Sequence, residues 1–161
     1  MRIQSGAMLA PSRIINPRTR EHVETRMMVD TGSEFTAICL LLAQKINLRP
    51  VDWCLVQGVD RDPFTAPVFN VDLVLQDCPV GNVDVLGLDF TGLGHGGLIG
   101  NDLLDRGLLV RDGETGHWYF ALASGSCAST CTTRVPWQHY ALAGAAGLVV
   151  GAGIVLLTRR K

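Results

Sequence analysis

Arg26-Met27-Met28-Val29-Asp30-Thr31-Gly32-Ser33-Glu34 is the stretch from which the rest of this chain can be read. An apolar run carries one carboxylate to its end, and a Thr-Gly turn follows at once. A carboxylate at the end of a buried strand must be hydrogen-bonded, or its charge becomes costly. Thr31 offers a hydroxyl, and Gly32 leaves its backbone N–H groups unobstructed. The pattern suits an aspartate kept available for chemistry: Asp30 is the candidate catalytic residue, with Thr31, Gly32 and Ser33 as its supporting loop.

Working outward, residues 8–15 read as a strand, 16–20 as a turn, and 22–29 as the return strand of a hairpin ending at Asp30. Residues 35–38 read as a short strand and 39–46 as one or two helical turns, closed by Asn47 and Pro50. Residues 51–57 and 64–75 form a second hairpin whose polar tip is Gly58-Val59-Asp60-Arg61-Asp62-Pro63. The apolar positions of 64–75 do not alternate cleanly, so periodicity leaves its register open. Residues 81–88 read as a strand, 89–97 as a glycine-rich loop, 101–106 as a short helix, and 108–111 and 118–122 as strands about an Asp112-Gly113 turn.

Composition bounds the function. At 161 residues the chain holds one modest domain and an appendage. A hydrophobic fraction of 47% against 18% charged excludes disorder, and a net charge of −1 gives no nucleic-acid surface. Eighteen glycines and seven prolines suit a turn-rich β protein. The five cysteines, Cys39, Cys54, Cys78, Cys127 and Cys131, are odd in number and irregularly spaced. They read as free thiols and not as a disulfide framework. The four histidines are scattered, so neither a metal site nor a metal cofactor is expected.

A second motif, Gly97-Leu98-Ile99-Gly100-Asn101-Asp102-Leu103-Leu104, places two apolar residues before a glycine and a short helix after it. With Asp30-Thr31-Gly32-Ser33 ahead of it and a hairpin between, the chain resembles the retropepsin-like aspartic protease family over about residues 8–122. The resemblance implies a mostly β fold, a small closed barrel with one or two short helices. It implies Leu98, Ile99 and Gly100 as the structural motif behind the catalytic loop, and no cofactor. One Asp-Thr-Gly per chain implies a homodimer in which two copies of Asp30 meet. Gln57, Gly58, Val59 and Asp60 fall where the family has the flap that covers a polypeptide substrate. Viral members carry an arginine at the position of Asn101, paired with an acid after the triplet. Here Glu34 is the acid; the family's arginine is missing from its position or its role is supplied elsewhere, with Arg106 as a candidate. Asp102 reads as a residue satisfying the N–H groups that open the helix.

The C-terminus departs from this pattern. Residues 140–158 carry no charge and are followed by Arg159-Arg160-Lys161. As a helix, residues 140–157 would span roughly 27 Å, close to a hydrocarbon core. Trp137 and Tyr140 stand where interfacial aromatics belong. The expected organisation is a protease domain over 1–122, a polar linker over 123–136 and a transmembrane anchor over 137–161. Ala143, Gly147 and Gly151 form a small-residue stripe suited to helix pairing. With no signal-peptide core at the N-terminus, a single-pass tail anchor with a cytoplasmic domain is expected.

The alternatives are a catalytically inactive dimeric module of the same fold that binds a peptide or partner at the membrane, and a small membrane scaffold with an accidental triplet. Gly92-Leu93-Gly94-His95-Gly96-Gly97 matches a dinucleotide fingerprint in spacing, but it lies late in the chain and outside a βαβ unit. Ser33 has no placed histidine, which leaves a serine hydrolase without support.

Overall fold

A computed structural model describes residues 8–58, 62–112, 114, 118–122, 128–131 and 155–159. The elements are β1 (Leu9–Ile15), β2 (His22–Val29), β3 (Ala37–Cys39), α1 (Leu40–Lys45), β4 (Asp52–Gln57), β5 (Phe64–Leu75), β6 (Cys78–Leu88), β7 (Gly97–Ile99), α2 (Asn101–Leu104), β8 (Gly107–Arg111), β9 (Trp118–Leu122), β10 (Ala128–Cys131) and β11 (Val155–Arg159).

Six strands close a barrel. They run in the order β1-β2-β7-β3-β6-β5, and β5 returns to pair with β1. Closure depends on the length of β5. Its first half pairs with β4 (Asp52↔Val68 to Val56↔Phe64), and its second half pairs with β1 (Ser12↔Leu75 to Ile15↔Asp72). This explains the uneven pattern in its sequence. Ala66 and Val68 point into an apolar cluster with Cys54, Val56, Ala37, Leu86 and Leu98. Phe69, Val71, Leu73 and Leu75 point the other way, into the main core with Ile14, Met27, Val85 and Ile99. Because both faces are covered in turn, a single period-2 pattern cannot describe the strand.

Three expectations need adjusting. The strand expected over 81–88 starts three residues earlier, at Cys78, because Gly81 (φ +96°) absorbs a register shift that keeps β6 paired with β5. Within the expected linker, Ala128–Cys131 is a strand that pairs with β9, giving a small sheet β10-β9-β8. Most of the expected anchor lies outside the described residues. Its described end, Val155–Arg159, is strand β11, paired antiparallel with the outer edge of β4. That edge offers backbone partners that a run of strand-compatible residues such as Val155 and Thr158 can use. Among the described residues no helix is long and apolar enough to cross a membrane.

Candidate active site

Asp30 is the first residue after β2, and β2 runs parallel to β7 with Met28 opposite Leu98 and Val29 opposite Ile99. This pairing brings the two sequence motifs side by side on neighbouring strands. The Asp30 N–H continues the ladder by donating to the Ile99 carbonyl at 3.0 Å. The chain then turns sharply. Gly32 N–H donates to Asp30 Oδ1 at 2.9 Å, and Ser33 N–H donates to the Asp30 carbonyl at 3.2 Å. The Asp30 side chain is half-buried, while Thr31 and Gly32 are exposed beside it. One carboxylate oxygen is therefore held by the backbone of its own turn, on a loop whose next two residues face outward.

Ser33 supports this turn from inside. It is fully buried, and its hydroxyl donates to the Phe35 carbonyl at 2.9 Å. Gly100 is packed so closely on Phe35 that a Cβ there would collide with the Phe35 backbone. Only glycine lets the two motifs approach this far, which is the physical content of the apolar-apolar-glycine pattern. Leu98, Ile99 and Gly100 are all buried.

The first turn of α2 then grips the loop. Asn101 N–H donates to the Ser33 carbonyl at 2.9 Å, and Asp102 N–H to the Glu34 carbonyl at 3.0 Å. The Asn101 side-chain amide donates to the Thr31 carbonyl at 3.0 Å. Thr36 is buried, and its hydroxyl accepts from Gly100 N–H at 3.1 Å. The proton of that hydroxyl goes to Asp102 Oδ1 at 2.7 Å, an oxygen that also accepts Leu103 N–H at 2.9 Å. Asp102 thus does serve the helix opening, as its position suggests, and also anchors Thr36. Arg106 Nε donates to the Asp102 carbonyl at 3.0 Å.

Thr36 and Asn101 escape sequence reasoning in these roles. The bonds Thr36–Asp102 and Asn101–Thr31 join residues 66 and 70 apart in sequence. A threonine in a short apolar run and an asparagine opening a helix carry no local mark of such partners.

Gln57 ends β4 and Gly58 follows it, both half-buried; Val59 and Asp60 lie outside the described residues. His95, in the glycine-rich loop, is buried against Phe90 with ring centroids 5.3 Å apart. Its Nδ1 is 2.9 Å from the Gly97 carbonyl, so that nitrogen carries the proton. Burial holds the imidazole below its usual pKa, and the Gly97 hydrogen bond opposes this only in part. The loop therefore packs as a structural connection between β6 and β7. Among the described residues, no three His, Cys, Asp or Glu side chains are grouped to hold a metal ion. The Cys39, Cys54 and Cys78 side chains are buried.

A model of the aspartyl protease family matches residues 16–103, which is more than half of the chain. The chain belongs to the retropepsin-like aspartyl protease family. The matched span of this aspartyl protease domain runs from the β1–β2 turn to α2, so it includes Asp30, the β4–β5 hairpin and the Gly100 motif. No curated protein matches the chain. A groove of about 820 Å³, lined by Asn16, Arg18, Glu21, Asn47, Arg49 and Asp84 among others, does not include Asp30. It lies by the β1–β2 turn, at the other end of β2. An eight-residue strand separates the two places, about 26 Å at 3.3 Å per residue.

Proposed function

We propose that this aspartyl protease domain is half of a homodimeric endopeptidase, with one Asp30 from each copy forming the catalytic pair. The observation that carries the reading is the geometry of Asp30. Its carboxylate sits at a strand end, with Oδ1 held by Gly32 N–H, on a loop fastened to β7 and α2 by hydrogen bonds. Two carboxylates brought within a few ångströms cannot both ionise, so the pair shares one proton. The ionised member takes a proton from a bound water, which attacks the peptide carbonyl. The protonated member donates to the carbonyl oxygen. The titration belongs to the pair and gives a bell-shaped pH profile. In this reading Thr31 and Gly32 face the second copy and the substrate backbone, and residues 57–60 at the hairpin tip close over an extended polypeptide.

The test is cleavage of a general protein substrate, such as fluorescein-labelled casein, by wild type and Asp30→Asn across about pH 3 to 8. Wild type cuts with a bell-shaped profile, and Asp30→Asn is inactive but folded. Retained turnover in Asp30→Asn excludes the mechanism. A folded, dimeric wild type that cuts nothing favours the non-catalytic peptide-binding module.

The proposal extends to the C-terminal segment. Residues 137–161 tether the domain to a membrane, with the domain on the cytoplasmic side, and raise the local concentration of protomers. Its support is the uncharged run over 140–158, closed by three basic residues. Membrane insertion and pairing with β4 are mutually exclusive for Val155–Arg159. The tether therefore predicts that the outer edge of β4 is free in the membrane-bound protein. Flotation with liposomes after alkaline extraction tests the anchor, and protease protection in sealed vesicles tests the side. A chain recovered in the soluble fraction after extraction refutes the tether.

A further inference from the structure

We propose that Asn101 is a positioning residue for the Asp30 turn, acting through the carbonyl of Thr31; the inference rests on the peptidase reading above. The turn from Asp30 to Ser33 is held on two sides. On the Asp30 side, Gly32 N–H meets Oδ1 and Asp30 N–H meets the Ile99 carbonyl. On the far side, Asn101 makes two bonds: its backbone N–H goes to the Ser33 carbonyl, and its side-chain amide goes to the Thr31 carbonyl at 3.0 Å. Thr31 is exposed and sits between the two residues whose contact fixes the carboxylate. Its peptide plane is thus set from α2, and the Gly32 N–H belongs to that same peptide unit. Rotating the plane turns the Gly32 N–H away from Asp30 Oδ1. A peptide group is rigid, so a donor on its carbonyl orients the N–H on its other end. Asn101 therefore acts on the carboxylate without touching it. The backbone bond from Asn101 survives any substitution except proline, so the side-chain bond can be tested alone.

Asn101→Asp separates this role from a helix-opening role. It is nearly isosteric and removes the donor, leaving a carboxylate beside the Thr31 carbonyl. An acidic residue at the first turn of a helix is favourable, so a residue serving only α2 would tolerate the change. Asn101→Ala, which removes the donor without adding charge, should behave like Asn101→Asp. The experiment uses the full chain in detergent micelles and two readouts. Amide hydrogen exchange at Gly32 should speed up about three- to tenfold in both variants, the change expected for losing one ordinary hydrogen bond. Protection in β5 and β6 stays as in wild type and shows the variants are folded. With casein as substrate, kcat should fall about 10- to 100-fold with KM little changed, as for a displaced catalytic group.

Unchanged Gly32 exchange overturns the proposal, whatever happens to turnover. Faster exchange with unchanged kcat also overturns it, because Asn101 then serves only the fold. If wild type itself cuts nothing while folded, the peptidase reading fails. The exchange at Gly32 still decides whether Asn101 sets the turn.

Discussion

Thr36→Val should be among the most damaging small substitutions in this domain, although it is nearly isosteric and increases apolar character. Thr36 is 1% exposed. Its hydroxyl oxygen accepts the buried Gly100 N–H, and its proton goes to the Asp102 carboxylate at 2.7 Å. Valine leaves Gly100 N–H without its acceptor, which costs about 1–3 kcal/mol for a buried donor. It also removes a hydrogen bond to a carboxylate, worth about 1.5–3 kcal/mol. Asp102 is half-buried and keeps its bond from Leu103 N–H, so water replaces part of the second loss. A net cost of about 3 kcal/mol follows, against a total stability of about 5–15 kcal/mol for a domain of this kind. Thr36→Ser is the control. It keeps the hydroxyl and loses one methyl group, at about 1 kcal/mol. Urea unfolding of the full chain in micelles should rank wild type, Ser and Val in descending midpoint, with unchanged slope. A ranking by apolar burial alone would put Val above Ser. If Val is as stable as Ser, the hydroxyl bridge from Thr36 to Gly100 and Asp102 does not hold the loop and the reasoning fails.

Other outcomes follow from the same geometry. Asn16→Ala should cost about 2–4 kcal/mol, because this buried side chain donates to the Ile46 and Asn47 carbonyls and accepts from Arg18 and Thr19 N–H; calorimetry checks it, and a loss near zero refutes it. His95 has its pKa lowered by burial, so the unfolded chain binds more protons than the folded one just below the ordinary histidine value. The stability is therefore full above about pH 6.5 and declines as pH falls through the lowered value. His95→Gln should flatten that slope in urea midpoints measured between about pH 5 and 7, and an equal slope in both proteins counts against the assignment.

Much of the fold and the centre of the candidate site were legible in the residues. The β1–β2 hairpin follows from a polar turn between two strand-like segments, and Asp30 is marked by its place at the strand end before Thr31-Gly32. The pairing of the two motifs was less legible. It requires β2 and β7 to lie side by side although some seventy positions separate Met27 from Gly97, and local pattern carries no register across that distance. The tail shows the reverse difficulty. Its uncharged run is readable as composition, yet whether Val155–Arg159 joins a sheet or a bilayer depends on which partner satisfies its backbone.

The sequence by itself determined the chemistry available: one carboxylate on a Thr-Gly turn and a glycine after two apolar residues. Tertiary structure alone decided how that carboxylate is held. Thr36, Asn101 and Asp102 act through hydrogen bonds that exist only once β2, β3, β7 and α2 have packed together. A hydrogen bond is fixed by position and direction within a few tenths of an ångström. No run of residue types encodes that precision until the barrel has closed around it.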